Sequence, residues 1–216
     1  MNNAFWREAW RNNRTPWHQR EGDSDLHRFV DKFPPPPALV FVPMCGKSYD
    51  LIWLAQRGYS VLGVDLAPEA LQGLYAEMNH TPVQQQDGPF VRYHAGDITT
   101  LEGDMFAVGS EHLEHVNAVF DRAALIALPP EMRQRYVTHL RKTLPVGTVI
   151  LLISLDYHGG HDEGPPFSVA HSEIERLYHG VASIEQIDHY ECSDRVSPAM
   201  LEGSRRAFNT VWLIHL

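Results

Sequence analysis

Residues 40–65, reading VFVPMCGKSYDLIWLAQRGYSVLGVD, constrain the fold more than any other stretch of the chain. An apolar run at 38–42 meets a tight turn at 43–48, then a helical segment closed by Gly58. A second apolar run at 61–64 follows and ends on Asp65. A strand–turn–helix–strand unit of this kind is the building block of a parallel sheet. Its acid stands 19 residues after Gly46, the interval at which such a unit offers a carboxylate to two ribose hydroxyls.

The turn itself narrows the ligand. Gly46-Lys47-Ser48 resembles the end of a phosphate loop, but Phe41 stands where that loop needs its first glycine. Nor does the turn carry the GxGxxG of a dinucleotide site. A single glycine at the mouth of a helix suits a ligand without phosphate, such as one presenting a carboxylate to backbone N–H groups. Asp65 reads either as a helix cap or as a ribose acceptor, and Asp97, after an expected strand at 90–94, has the same two readings. Two such acids at the carboxyl edge of a parallel sheet describe a nucleoside pocket.

The pattern repeats along the chain. Pro68 opens a second helix; residues 79–89 read as a polar insertion and 102–114 as loop or short helix. A strand at 116–121, a helix carrying Met132, Tyr136, Val137, Leu140 and Leu144, and an unbroken apolar strand at 148–155 follow. A helix at 171–179 and strands near 182–191 and 207–215 complete the chain. Alternating β/α units ending in a strand pair argue for an α/β fold, a mostly parallel sheet with helices on both faces. We expect one domain over 1–216, with an N-terminal helical segment at 1–33 and an α/β core at 38–216. Phe5, Trp6, Ala9 and Trp10 share one helical face, either a docked helix or a lid over a pocket.

Charge and cysteine content exclude several classes. The net charge is −9 and no dense run of Lys and Arg exists, against a nucleic-acid partner. The two cysteines make no disulfide framework, and no run approaches a membrane span, so a cytoplasmic protein is expected; a monomer is expected as well. His158, His161, Asp162, Glu163 and His171 lie in a Gly/Pro-rich stretch without a helical HxxxH or HExxH register, and no metal site is assigned to them. Cys45 reads as a small residue packed in the turn before it reads as a nucleophile.

Seven motifs stand out: Phe5-Trp6-x3-Trp10, Trp17-His18-Gln19, VPMCGKS at 42–48, Trp53-Leu54-Ala55-x2-Gly58, Phe120-Asp121-Arg122, Gly164-Pro165-Pro166-Phe167 and HSEIERL at 171–177. Together, over nearly the whole chain, they resemble the thiopurine S-methyltransferase family, in its bacterial branch. The resemblance implies a Rossmann-like S-adenosylmethionine-dependent methyltransferase fold with a seven-stranded sheet and an N-terminal lid. It also implies transfer of a methyl group from S-adenosyl-L-methionine to the sulfur of aromatic or heterocyclic thiols, or to selenium or tellurium compounds, leaving S-adenosyl-L-homocysteine. By matching position, Trp10, Met44, Gly46, Asp65, Asp97, Ile98 and Arg122 would surround the cofactor. Arg122, Trp17, Arg195 and His18 would face the acceptor, none of them as an obligate base. The family usually has Leu at position 44 and Glu at position 65, and the 193–206 stretch matches poorly. Two alternatives remain beside the enzyme: a non-catalytic module that binds S-adenosylmethionine or a nucleoside, and a metal-dependent hydrolase built on 158–171.

Overall fold

The structure is a computed structural model that describes residues 3–157, 164–193 and 206–216. The chain divides into two compact units, with Phe120 closing the first and Asp121 opening the second.

The first unit begins with α1 (Asn3–Arg11) and α2 (Ser24–Phe29). Asp23 caps α2 by accepting the N–H groups of Asp25 and Leu26. Then come β1 (Leu39–Pro43), α3 (Tyr49–Gln56), β2 (Ser60–Asp65) and α4 (Pro68–Glu77). Ser48 caps α3 through the Asp50 N–H, and Gly58 closes that helix at φ 85°, where glycine meets no Cβ penalty. Leu51 and Leu54 of α3 are fully buried, as are Val40 and Phe41 of β1. Each such side chain contributes about 1.5–3 kcal/mol by leaving water. Gly63 in β2 lets the turn and α3 approach the strand closely, because a Cβ there would stand 2.7 Å from the Cys45 sulfur and 3.0 Å from Leu51 of α3.

The unit continues with β3 (Val83–Asp87), β4 (Phe90–Ala95), β5 (Ile98–Glu102), α5 (Ser110–Leu113) and β6 (Val116–Asp121). Its strand order is β3-β4-β5-β2-β1-β6. β5, β2, β1 and β6 run parallel, whereas β3 and β4 form an antiparallel pair added to β5. The α/β class with parallel central strands agrees with the sequence expectation, but the seven-strand count is corrected: nine strands occur among the described residues. The expected strand at 90–94 exists as β4, yet it runs antiparallel, and the parallel neighbour of β2 is β5. Tight turns at Gly88 (φ 55°) and Gly96 (φ 57°) fold the chain back twice. β3 reads VQQQD and is exposed along most of its length, so it lacks the apolar alternation that marks a strand in sequence.

The second unit holds α6 (Ala124–Ala127), α7 (Pro130–Thr143), β7 (Val149–Tyr157), α8 (His171–Leu177), β8 (Ser183–Glu191) and β9 (Ala207–His215). Its strands lie in the order β7-β9-β8, all antiparallel. The first seven residues of β7 are buried, which accounts for its uninterrupted apolar sequence. Trp212 of β9 is fully buried and donates to the Ser154 hydroxyl at 2.9 Å. Ala170, which offers no side-chain cap, precedes α8. No helix among the described residues is long and apolar enough to cross a membrane.

Candidate active site

The carboxyl ends of β1, β2 and β5 meet around Asp65. One carboxylate oxygen accepts the Gly46 N–H at 2.8 Å, from the turn after β1. The other accepts the Ala67 N–H at 2.8 Å, from the turn that opens α4. The Asp65 carbonyl accepts the Gly103 N–H at 2.9 Å, from the segment after β5. One residue therefore ties three turns together at the edge where parallel sheets bind ligands. Burial pushes its carboxyl up to about 6, against the opposing pull of the backbone N–H groups. The side chain remains partly exposed. Each oxygen has spent one acceptor site on the backbone and keeps another for a hydroxyl.

The turn after β1 is conformationally constrained. Met44 adopts φ 48° and Gly46 φ 53°. A left-handed conformation at a non-glycine residue costs free energy and persists only where its surroundings impose it. A Cβ at Gly46 would stand 2.5 Å from the Trp10 ring, so glycine lets the indole lie against the turn backbone. Cys45 is buried, and burial together with the Asp65 charge raises its thiol well above the usual range. It has the surroundings of a packed thiol, not of an activated thiolate.

Helix α1 is fastened over this turn. Arg7 donates to the Leu66 carbonyl at 3.2 Å, and Arg11 donates twice to Glu69 at 3.2 and 3.0 Å. Trp17 stands edge-on to Trp6 at 5.3 Å and to Trp10 at 6.0 Å between ring centroids. Glu77, at the end of α4, takes Lys47 from the turn at 2.7 Å and lies 4.0 Å from His18. Trp10, Trp17, His18, Met44, Gly46 and Asp65 are thus assembled in the first unit.

The structure does not bring Asp97 and Ile98 to them. The expected position of Asp97 beside Asp65 at the carboxyl edge is corrected: Asp97 lies exposed in the turn between β4 and β5, at the amino end of β5. There its carbonyl accepts the Val61 N–H at 2.8 Å, while Ile98 pairs with Val61 in register and is buried. Asp65 pairs instead with Glu102, four residues on, which is about 13 Å along the strand. The acid that follows β5 at the edge shared with Asp65 is Asp104, with Met105 beside it. Asp104 is exposed and one oxygen accepts the Phe106 N–H at 2.9 Å. The signal for this placement is the run Ile98-Thr99-Thr100-Leu101, a β-favouring stretch between two Gly-Asp pairs.

Arg122 belongs to the second unit, next to the buried Asp121, and is partly exposed. Asp121 accepts the Ala124 and Leu125 N–H groups at 3.1 and 3.2 Å and the Tyr136 hydroxyl at 2.8 Å. Burial pushes its carboxyl up to about 6. Arg195, His158, His161, Asp162 and Glu163 lie outside the described residues. His171 is exposed on α8, 3.5 Å from Glu175.

Solved structures of the same architecture place the fold. A methyltransferase described as S-adenosylmethionine-dependent, from Anabaena variabilis, superposes with a TM-score of 0.66 at 19% identity, covering 100% of this chain and 96% of that one. A 1,6-didemethyltoxoflavin-N1-methyltransferase from Burkholderia thailandensis, solved with bound 1,6-didemethyltoxoflavin and S-adenosylhomocysteine, gives 0.63 at 14% identity, covering 99% and 87%. The fold is that of the S-adenosylmethionine-dependent methyltransferases. The family model described as thiopurine S-methyltransferase matches residues 1–215. Relatives named thiopurine S-methyltransferase from Pseudomonas aeruginosa and Nitrosospira multiformis are 41% and 42% identical over 189 and 179 residues. These alignments cover 87% of both chains in the first case, and 82% of this chain and 81% of the relative in the second. The chain belongs to the thiopurine S-methyltransferase family.

Proposed function

We propose that this protein moves the methyl group of S-adenosylmethionine to the sulfur of an aromatic or heterocyclic thiol, and that its two units act as one methyltransferase domain. The observation that carries this reading is the Asp65 carboxylate, held by the Gly46 and Ala67 N–H groups with acceptor sites to spare for a vicinal diol. A family model running unbroken over 1–215 supports the single domain.

When bound, the cofactor would supply an electrophilic methyl on its sulfonium; the acceptor sulfur would take that methyl as its bond to the sulfonium breaks and S-adenosylhomocysteine leaves. The chain's own work is binding, alignment and exclusion of water. Asp65 takes the ribose hydroxyls, and the Met44–Gly46 turn meets the methionine end. Asp104 and Met105 take the adenine edge in place of Asp97 and Ile98. Trp10 and α1 exclude water from above the turn. Arg122 draws in an acceptor that is already anionic, so no strong base is needed.

Calorimetry with S-adenosylhomocysteine separates the two acids that follow glycine around β5. Asp104→Ala is expected to weaken binding 5- to 50-fold, and Asp97→Ala to leave it unchanged. The opposite pattern would return the adenine edge to Asp97 and overturn this arrangement.

A further inference from the structure

Arg133 on α7 is 1% exposed, which is unusual for a residue whose charge is costly to remove from water. Its guanidinium is spread over three segments of the second unit. Nε donates to the Leu128 carbonyl at 3.0 Å, just past α6. One terminal nitrogen donates to Glu173 of α8 at 2.7 Å. The cation stands 5.9 Å from the centre of the Phe167 ring. The other terminal nitrogen is buried and has no hydrogen-bond partner among the described residues. An apolar side chain of similar length would fill this place without that penalty, so bulk packing does not account for an arginine here.

The three segments share a purpose. Residues 122–128 leave the carboxyl end of β6 and carry Arg122; residues 164–170 return from the carboxyl end of β7 and lead into α8. They are joined directly as well, because the Phe167 N–H donates to the Ile126 carbonyl at 2.7 Å. Tyr157 donates to the Pro166 carbonyl at 2.8 Å, and the Val169 N–H to the Leu155 carbonyl at 2.8 Å. Arg133 sits behind this pair as a planar fork, fixing one carbonyl, one carboxylate and one ring in mutual register. In sheets of this class, segments leaving the carboxyl ends of the strands form the ligand site.

We propose that Arg133 is a positioning residue for methyl-acceptor recognition: through Leu128, Phe167 and Glu173 it holds the wall formed by 122–128 and 164–170. This inference rests on the methyl-transfer reading above. It touches no reacting atom, so its signature is a split between acceptor and cofactor parameters.

The test uses the full chain with Arg133→Met, Arg133→Lys and Glu173→Gln. Arg133→Met is expected to raise the KM for 6-mercaptopurine at least tenfold while the Kd of S-adenosylhomocysteine stays within twofold of wild type. Arg133→Lys, which keeps the charge but not the fork, should recover part of the loss. Glu173→Gln, the milder change if Arg133→Met fails to fold, should raise KM several-fold. Native-state hydrogen exchange gives a readout independent of turnover. The Phe167 amide in Arg133→Met should exchange at least tenfold faster, with the amides of Cys45 and Val61 unchanged. Equal losses in KM and cofactor Kd, or uniform loss of protection, would reduce Arg133 to a general stabiliser and overturn the proposal. If wild type methylates no thiol, the proposed function fails and acceptor positioning falls with it. The exchange data then decide only whether Arg133 orders the wall.

Discussion

Asp65 and Asp121 are two aspartates whose carboxyls burial pushes up, each to about 6. Asp65 stands at about 6, and its ionised form is the better acceptor for two hydroxyls. Affinity for S-adenosylhomocysteine should therefore fall as pH drops from 7 to 5, and Asp65→Asn should flatten that profile. Asp65→Ala should weaken binding by about 1–3 kcal/mol by leaving ribose hydroxyls unpaired. An unaltered Kd would return Asp65 to holding the Gly46 and Ala67 amides alone. Asp121 is the second case, raised from 3.8 to about 6 by burial. Because the folded state holds that proton more tightly, its contribution is complete below about 4 and is lost as pH rises through 6. The loss is at most about 3 kcal/mol. Urea unfolding from pH 4 to 7 should show a shallower decline for Asp121→Asn than for wild type; parallel curves would remove Asp121 as the source. The sequence exposed Gly46 and Asp65 because turn chemistry and a fixed interval are local properties. It put Asp97 at the edge shared with Asp65 because Gly96-Asp97 and Gly103-Asp104 are the same dipeptide seven residues apart. Only strand direction distinguishes them.

Among the elements, α1 shows how far periodicity reaches. The spacing of Phe5, Trp6, Ala9 and Trp10 gives an amphipathic helix, and the structure forms it over Asn3–Arg11. Which surface it covers depends on Arg7, Arg11 and the Trp10–Gly46 contact, pairings across some 36 to 59 residues that no local pattern encodes. If α1 is the lid, Trp10→Ala should remove most of the fluorescence quench caused by S-adenosylhomocysteine and speed its dissociation at least several-fold in stopped flow. Dissociation at the wild-type rate would make α1 a docked helix with no part in retention. The β3–β4 hairpin was half legible: its inner strand was expected at 90–94 and its outer strand was not. Its outer strand faces water on nearly every residue, so no hydrophobic alternation records it. β1, β2 and β7 were legible because their burial is written directly as apolar runs between turn residues.

At the scale of the whole molecule, the parallel heart of the sheet and the strand–turn–helix–strand unit at its centre follow from the residues alone. Of the antiparallel additions, β8 and β9 agree with the strand pair expected near 182–191 and 207–215, whereas β3 leaves no apolar alternation in the sequence. The family assignment joins these parts: one family spans 1–215, and the turn, the acid and the Asp121-Arg122 segment all fall within it. The central claim is transfer of a methyl group to a thiol sulfur, and one measurement tests it most directly. Purified protein is incubated with methyl-labelled S-adenosylmethionine and, in separate reactions, 6-mercaptopurine, thiophenol, selenite and tellurite. The account predicts labelled S-methyl product from the thiols with stoichiometric S-adenosylhomocysteine, undiminished by chelator. Tight binding of S-adenosylhomocysteine with no label in any acceptor would contradict it and leave a binding module in its place.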